Sequence, residues 1–542
     1  MILILGALLF AAPPSDLKMQ GAAGIEAIRG DALSAHIRFF ADDLLEGRAT
    51  GSLGHAIAAR YFATQLQALG YEPAGDGGTY FQRVPFVGMT VQPEKCALEL
   101  DGAGLRYGEE VLFPPRAGAA GDDVSGELIF AGYGVTAPEY RYDDVPRDLS
   151  GKIAVVLYGA PRSDRPDFFP TAASAVYSDG LEKARRLARH GAVGMIVVFT
   201  PQLAKHLPFP FFARQAPFES MVWKEGNAPG SGYVLPNARV PYTLLQRLLA
   251  KSGHDADQIF KDGPEGKLQP FPLKLRAHLR TGFALRDFSS DNVAAVLRGS
   301  ERAGEYVAIT AHLDHLGIGP PMNGDAIYNG AVDNASGLSA AIEVARAFAA
   351  LPKRPARSIL VVGVTGEEKG LQGSEYYSLH PTVPIDSIVA DVNIDAVKTK
   401  FEPFDIVVLG SEHSTLQRAV QAALSAMGLK QSPDPQPEQV FFIRSDQYNF
   451  VRRGIPAIFP GAGWQDEKGN IEKRKEYDEW WTKNRYHQPS DEWDPRENYE
   501  NMAKETRADF LIALSVALDP ERPRWNDGDV FGKLFGQRSP GG

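Results

Sequence analysis

The sequence predicts an α/β fold in which a mixed sheet is flanked by helices and a smaller, β-rich domain is inserted. Three apolar runs rich in β-branched residues, 306–310, 359–364 and 388–392, are typical of strands buried on both faces. Elsewhere apolar residues recur at helical spacing, as in 57–66, which ends near Gly70. At 542 residues the chain is too long for one ordinary core, so more than one domain is expected.

The block 114–272 differs from the rest of the chain. Short strands set off by glycines, such as 151–157, precede a predicted helix over 179–190 and a further buried strand over 191–198. This block contains none of the clusters of histidine and carboxylate residues described below. We therefore predict that it is a separate domain inserted into the first one.

The inserted block divides the main domain into two predicted parts, 20–113 and 273–518. Residues 519–542 are polar and rich in glycine, proline and arginine, so we expect a loosely ordered tail.

Charge and the amino-terminal residues indicate where the protein acts. The net charge of −10 argues against a nucleic-acid partner or an anionic membrane surface. An apolar run, 2–10, is too short to span a bilayer, and small residues follow it, which predicts a signal peptide over 1–12. Cys96 is the only cysteine, so no intramolecular disulfide can form. We expect an exported protein, periplasmic or secreted, without a membrane span; the oligomeric state stays open.

Five short segments carry side chains that commonly bind metals: His312-Leu313-Asp314, Gly330 to Gly337, Gly366-Glu367-Glu368, Asn393-Ile394-Asp395 and Tyr486-His487. Three of these segments directly follow the predicted buried strands. In open α/β sheets, ligands collect at the carboxyl ends of the strands. Imidazole and carboxylate groups without cysteine suit zinc or a similar divalent ion.

The charges of these residues fit two divalent ions. Asp333, Glu368 and Asp395 supply three negative charges, a bound hydroxide would supply a fourth, and His312 and His487 add neutral nitrogen ligands. Asp333 is the candidate bridge between the ions, because the glycines around it allow a tight turn. The sequence does not distinguish zinc from cobalt or manganese.

The adjacent glutamates are predicted to have different roles. Neighbouring side chains at a strand end point in different directions, so one carboxylate can bind metal while the other stays free to act as general base. Asp314 can accept the proton on the other ring nitrogen of His312 and so set its tautomer, and Asp491 could do the same for His487. Tyr486 could donate its phenol proton, as a hydrogen bond, to a developing oxyanion.

Other chemistries find little support in the sequence. There is no His-Glu-x-x-His motif, no Gly-x-Ser-x-Gly elbow and no phosphate-binding loop. Three further histidines, His315, His380 and His413, lack a comparable context and are interpreted as structural.

The five segments, in this order, resemble the M28 family of co-catalytic zinc peptidases, particularly its bacterial aminopeptidase-type members. The resembling stretches are His312-x-Asp314, 329–337, 365–374, 393–395 and 486–491. The resemblance implies a phosphorylase/aminopeptidase-like sheet. The block 114–272 resembles a protease-associated domain, the usual insertion in this family.

Carried over residue by residue, the resemblance implies two overlapping ligand sets: His312, Asp333 and Asp395 for one zinc, and Asp333, Glu368 and His487 for the other. It also implies Glu367 as general base and Tyr486 as oxyanion donor. One departure is Gln447, which stands where the family often has the histidine of a Ser-Asp-His run. This departure concerns contacts with the substrate, because no metal ligand is lost.

The expected function is that of an exported di-zinc exopeptidase with a peptide substrate, an aminopeptidase in which Glu367 passes a proton from the attacking hydroxide to the leaving amine. Three alternatives stay open. A carboxypeptidase or dipeptidase of the same fold needs a cationic pocket, for which Arg444 is the candidate. A glutaminyl cyclase would use one zinc. A non-catalytic, receptor-like binding module would lack some of the ligands.

Overall fold

The computed structural model describes residues 14–163, 165, 167–226, 228–230 and 232–536. The predicted signal peptide over 1–12 lies outside these residues. The chain divides into two compact units, one of Met1–Val84 with Ser290–Gly542 and one of Pro85–Ser289. None of the described helices is long and apolar enough to cross a membrane.

The larger unit contains a mixed sheet, whose strands lie in the order Glu72–Pro73, the end of Phe271–Leu297, Arg357–Val364, Arg302–His312, Ile388–Asn393, Ala457–Ala462, Asp405–Leu409 and Lys430–Ser432. The third to sixth strands in this order are parallel to one another, and the strands on either side of this group are antiparallel to it. The three predicted buried strands are confirmed and lie side by side at the centre of the sheet. A separate hairpin pairs Gly317–Met322 with Asp325–Tyr328.

Helices cover both faces of this sheet. In the strand Arg302–His312, Val307 and Ile309 belong to the main apolar cluster, and the alternating Ala308 and Thr310 are also fully buried. The α-helices of this unit are Pro14–Gln20, Ala22–Ala27, Gly30–Phe40, Leu53–Ala68, Gly337–Ala350, Gln372–Leu379, Leu416–Met427, Gln447–Val451, Glu472–Asn484, Tyr499–Leu518 and Val530–Phe535. The predicted α/β fold with flanking helices is confirmed.

The helix predicted from the spacing of apolar residues in the amino-terminal part of the chain is present. The predicted helix over 57–66 is the inner part of Leu53–Ala68, which Ser52 caps by accepting from the amide of His55. The helix ends before Gly70, whose φ of 81° is the left-handed conformation that glycine adopts readily.

The smaller unit has its own sheet. Its parallel part contains Gly121–Phe130, Ile153–Leu157, Gly194–Val198 and Asn237–Val240. The predicted helix is Gly180–Arg189, capped by Asp179. Its other helices are Thr171–Tyr177, Pro201–His206, Phe209–Gln215, Leu245–Leu249 and Ala256–Asp262, and its other longer strands are Ala97–Leu100, Ser220–Glu225 and the first part of Phe271–Leu297. The assignment of this unit as a protease-associated domain stays a prediction.

The predicted limits of the inserted domain, 114 and 272, are too narrow. Ala97–Leu100 pairs antiparallel with residues 277–280, and residues 220–223 pair antiparallel with 86–89. These pairings extend the compact unit to Pro85–Ser289. They join residues far apart in the sequence, so local composition does not reveal them.

The prediction of a loose tail after residue 518 is wrong for its described part, 519–536. A helix, Val530–Phe535, forms there, and Phe531 is fully buried against Trp525. The guanidinium group of Arg357 also donates to carbonyl oxygens of this segment. An apolar side chain and a buried cation therefore hold a stretch whose composition is typical of a flexible tail.

Candidate metal centre

The ends of the parallel central strands bring the predicted site residues together. In the sheet, His312 pairs with Val364, and Asn393 pairs with Thr310. The glutamates that follow Val364 and the aspartate that follows Asn393 therefore leave the sheet at the edge where His312 lies.

His312, Asp333 and Asp395 form a first group of potential ligands, whose ligand atoms lie within 4.8 Å of one another. Nε2 of His312 lies 3.2 Å from Oδ1 of Asp333 and 3.3 Å from Oδ1 of Asp395. One imidazole nitrogen and two carboxylate oxygens thus face a common point, as the ligands of a divalent cation do.

A second group surrounds the other oxygen of Asp333. Nε2 of His487 lies 3.3 Å from Oδ2 of Asp333 and 3.0 Å from Oε2 of Glu368. Because Oδ1 of the same aspartate faces His312, this carboxylate stands between the two groups. The arrangement is suited to a carboxylate that bridges two ions.

His315 also belongs to the second group, although its sequence context indicated a structural role. Ligand atoms of His315, Asp333 and Glu368 lie within 4.8 Å of one another, and Nδ1 of His315 is 2.6 Å from Oε1 of Glu368. The available sequence signal was its position three residues after His312, in the loop that follows the same strand.

The adjacent glutamates have opposite electrostatic environments. Burial, together with the carboxylates of Asp446 and Asp395, raises the pKa of Glu367 well above its ordinary value, although His312 opposes this. Burial alone would also raise the pKa of Glu368, but the imidazoles of His487 and His315 lower this pKa well below its ordinary value. One carboxylate is thus suited to hold a cation and the other to take up a proton.

The carboxylate of Asp314 does not act on His312 as predicted. Nδ1 of His312 lies 3.0 Å from the main-chain carbonyl oxygen of Asp314, which accepts its proton and leaves Nε2 free for the first ligand group. The carboxylate instead accepts from the hydroxyl of Thr50 at 3.0 Å and from the amide of Glu367 at 3.1 Å. Asp314 therefore positions the loop that carries the proposed base.

The loop around Asp333 is held by its neighbours. The carboxylate of Asp491 accepts from the amides of Val332 and Asp333, at 3.1 and 3.0 Å. The side chain of Asn334 accepts from the amide of Gly337, the first residue of the following helix. The backbone on both sides of the bridging carboxylate is thereby fixed.

Asp395 is oriented by a serine that the sequence did not single out. The hydroxyl of Ser445 donates to Oδ2 of Asp395 at 2.8 Å and accepts from the side-chain amide of Asn393. That amide also donates to Gln447, which is fully buried and donates to the carbonyl oxygen of Phe442. The residue that departs from the family pattern therefore supports the interior next to the site.

Arg48 is a further residue that the sequence did not single out for the site. Its fully buried guanidinium group donates to main-chain carbonyl oxygens of Phe40, Leu313, Asn329 and Gly330. It therefore ties the loop after His312 to the loop before Asp333. Burial lowers its pKa to about 10, so it is protonated at neutral pH and faces the carboxylates of the site as a cation.

Tyr486 lies beside the second group. Its ring stacks on that of His487, with 3.9 Å between the ring centroids. Burial and the carboxylates of Asp333 and Glu368 raise its pKa well above the ordinary value, against the effect of Arg444. The phenol is therefore protonated at neutral pH and able to donate a hydrogen bond.

The side chains of the centre fit the binding of zinc. The carboxylates of Asp333, Glu368 and Asp395 are largely buried and close to one another, an arrangement that needs compensating positive charge. The donors are imidazole nitrogens and carboxylate oxygens, which zinc accepts.

Residues 292–509 match the sequence model of peptidase family M28. These residues are an M28 peptidase domain. The domain includes all five predicted metal ligands.

The chain is also similar to individual proteins and to a solved structure. The chain is 40% identical over 85 residues to a probable zinc metalloprotease of Pyricularia oryzae, and these residues make up 16% of this chain and 16% of that protein. It is 25% identical over 345 residues to carboxypeptidase Q of Xenopus laevis, 62% of this chain and 60% of that protein. An aminopeptidase from Aneurinibacillus sp. strain AM-1 has a similar fold, with a TM-score of 0.54 and 18% identity over 93% of this chain and 97% of that chain.

Proposed function

We propose that this M28 protein is an exopeptidase that holds two zinc ions and removes amino-terminal residues from peptides. The observation that carries the proposal is the position of Asp333, whose two carboxylate oxygens face the two groups of ligand side chains. His312 and Asp395 would complete the first zinc site, and Glu368 and His487 the second.

Glu367 is the proposed general base. When bound, a zinc pair supplies Lewis acidity, which polarises a carbonyl oxygen and lowers the pKa of a water molecule. Glu367 takes a proton from the attacking water and delivers it to the leaving amine. Its buried carboxyl group, with a raised pKa, is suited to hold that proton during the reaction. Tyr486 donates its phenol proton as a hydrogen bond to the carbonyl oxygen as negative charge develops there.

The carboxyl groups of the site support an aminopeptidase. Beyond the three ligand carboxylates, Glu367, Asp446 and Asp314 place further carboxyl groups around the centre. A carboxyl group can accept a hydrogen bond from the α-ammonium group of a free amino terminus. The structural neighbour from Aneurinibacillus, itself an aminopeptidase, supports the same proposal.

One observation favours a carboxypeptidase as the second candidate. Arg444 acts electrostatically on Tyr486, and its guanidinium group lies 5.2 Å from the ring centroid of Phe441. Within the described part of the chain, Arg444 has no carboxylate partner. A free cation near the site could bind the terminal carboxylate of a substrate, and one relative is a carboxypeptidase.

Paired substrates separate the two candidates. The zinc-loaded protein is expected to hydrolyse an aminoacyl anilide and to leave an N-blocked dipeptide intact. Cleavage of the blocked dipeptide alone would overturn the aminopeptidase proposal in favour of the carboxypeptidase. One zinc per chain, with cyclisation of an amino-terminal glutamine, would indicate a glutaminyl cyclase instead.

The role of Glu367 is tested by Glu367→Gln, which keeps the size of the side chain and removes its basicity. We expect kcat/KM to fall by about 10²–10⁴-fold while the zinc content is unchanged. Glu412→Gln, at an exposed glutamate outside the centre, is the matched control and should retain full activity. A zinc-loaded Glu367→Gln protein with the activity of the wild type would refute the assignment.

Export is also part of the proposal. The apolar run 2–10, followed by small residues, and the single cysteine support it. Amino-terminal sequencing of the protein from the periplasm or medium should show cleavage near residue 12. Intact protein confined to the cytoplasm would contradict export and leave the peptidase proposal untouched.

A further inference from the structure

His315 is a buried imidazole at the edge of the second ligand group. Its side chain has no exposed surface, and Nδ1 lies 2.6 Å from Oε1 of Glu368. Nδ1 is therefore paired with that carboxylate, whereas within the described residues Nε2 of His315 has no hydrogen-bond partner. A buried ring nitrogen without such a partner loses free energy unless another group satisfies it.

The backbone leaves room for this ring at one glycine. A Cβ atom on Gly330 would lie 2.5 Å from Cγ and 2.6 Å from Cδ2 of His315. Gly330 also has a φ of 61°, a conformation that other residues rarely adopt. The loop that leads to Asp333 therefore accommodates the His315 ring through a residue without a side chain.

Two imidazoles approach one carboxylate from its two oxygens. His315 faces Oε1 of Glu368, and His487 faces Oε2. The rings of the two histidines meet edge to face, with 5.7 Å between their centroids. The first group, in contrast, has the single imidazole of His312.

We propose that His315 is an additional ligand of the second zinc ion, together with Asp333, Glu368 and His487. The inference rests on the proposed two-zinc centre and makes its two sites unequal. The second site has two nitrogen and two carboxylate ligands, and the first has one nitrogen and two carboxylates. Because imidazole ligands suit zinc and carboxylates suit harder ions such as manganese, the second site retains zinc while the first exchanges metal more readily.

The competing explanation is that His315 only orients Glu368 from outside the coordination shell. X-ray absorption at the zinc edge distinguishes the two, because it counts imidazole ligands in the wild-type protein without any substitution. Three imidazoles for two zinc ions are expected. Two imidazoles for two zinc ions would overturn the proposal, and binding of a single zinc or none would instead overturn the two-zinc function.

The substitution His315→Gln tests the same inference by affinity. Zinc titration against a chromophoric chelator should show the tighter site weakened beyond the roughly 10–100-fold that the loss of an outer-shell partner costs, with the other site unchanged and one imidazole lost from the absorption spectrum. His278→Gln, at a partly exposed histidine of the smaller unit, is the control and should leave both affinities unchanged. Equal zinc affinities in His315→Gln and wild type would overturn the proposal.

Discussion

Glu367 and Glu368 show how two identical neighbours acquire different chemistry. Burial and nearby carboxylates raise the pKa of Glu367, whereas two imidazoles lower the pKa of Glu368. The peptide bond between them places the side chains in different surroundings, and these surroundings determine which one can carry a proton. At the residue scale, the proposed mechanism depends on this difference.

Arg48 is expected to determine whether the loops of the centre hold their positions. Arg48→Met leaves several buried carbonyl oxygens without a donor, so the free energy of unfolding should fall by at least about 3 kcal/mol. Zinc affinity should fall as well, because the loops after His312 and before Asp333 lose their common partner. Denaturant unfolding and zinc titration measure the two effects.

The control for this change is Arg60→Met, at an exposed arginine of the helix Leu53–Ala68. Its unfolding free energy should change by no more than about 0.5 kcal/mol. Equal effects of the two substitutions would show that the hydrogen bonds of Arg48 do not hold the loops.

The buried Lys183 should make the stability of the smaller unit depend on pH. Burial lowers its pKa to about 7, although Asp144 opposes this. Between pH 7 and the unfolded value of 10.5, unfolding takes up a proton, so the free energy of unfolding rises with pH by about 1.4 kcal/mol per pH unit. Lys183→Met should remove this rise between pH 7.5 and 9.5, measured by denaturant unfolding, whereas the exposed Lys205→Met should retain it. An unfolding free energy that rises equally with pH in both variants would contradict the lowered pKa of Lys183.

At the scale of elements, the parallel strands matter because they end at one edge. The strands ending at His312, Val364 and Asn393 are adjacent, so loops distant in sequence deliver their ligands to the same place. The Asp333 loop joins them through the amide hydrogen bonds to Asp491 and to the side chain of Asn334. Short, well-bonded loops on a buried sheet hold such a site rigidly.

The helix Val530–Phe535 is expected to be docked by one aromatic side chain. Phe531 is fully buried and packs against His413, Phe442 and Trp525. If Phe531→Ala removes about 2 kcal/mol of local packing, tryptic cleavage in this segment should become roughly 30-fold faster.

Leu534→Ala is the control within the same helix, since Leu534 is 44% exposed. Its cleavage rate should match that of the wild type. Rapid cleavage of the wild-type segment, unaffected by either change, would indicate a tail that is loose in solution.

At the scale of the whole molecule, zinc should stabilise the folded chain. Bound zinc would offset the repulsion among the buried carboxylates, and an ion that binds only the folded centre contributes about 3 kcal/mol per site at a free concentration 100 times the Kd. Removal of zinc by a chelator should therefore lower the Tm by roughly 5 °C or more, and added zinc should restore it. Calorimetry measures both steps.

Asp333→Asn is the variant to compare with the wild type, because the substitution weakens both groups of metal ligands at once. Its Tm should respond little to the chelator. The exposed Asp257→Asn, in the smaller unit, should respond like the wild type. A wild-type Tm that is insensitive to chelator would contradict the proposed metal centre.

The α/β class, the three central strands and the order of the ligand segments could be predicted from the sequence. Strand periodicity and the residues at strand ends are local properties, and they can be predicted from short stretches of the chain. The segments around His312, Asp333, Glu368 and Asp395 could therefore be named before the structure was known.

How those segments are held, and which other residues join them, depends on contacts that form in the folded chain. Arg48 and Leu313 are 265 positions apart, and the positioning role of Asp314, the place of His315 beside Glu368 and the limits of the inserted unit depend on similarly non-local contacts. Side-chain direction and the choice of hydrogen-bond partner arise when distant segments pack, so composition and spacing do not contain them. For the same reason the polar tail was expected to be loose, although Phe531 finds a buried place in the folded chain.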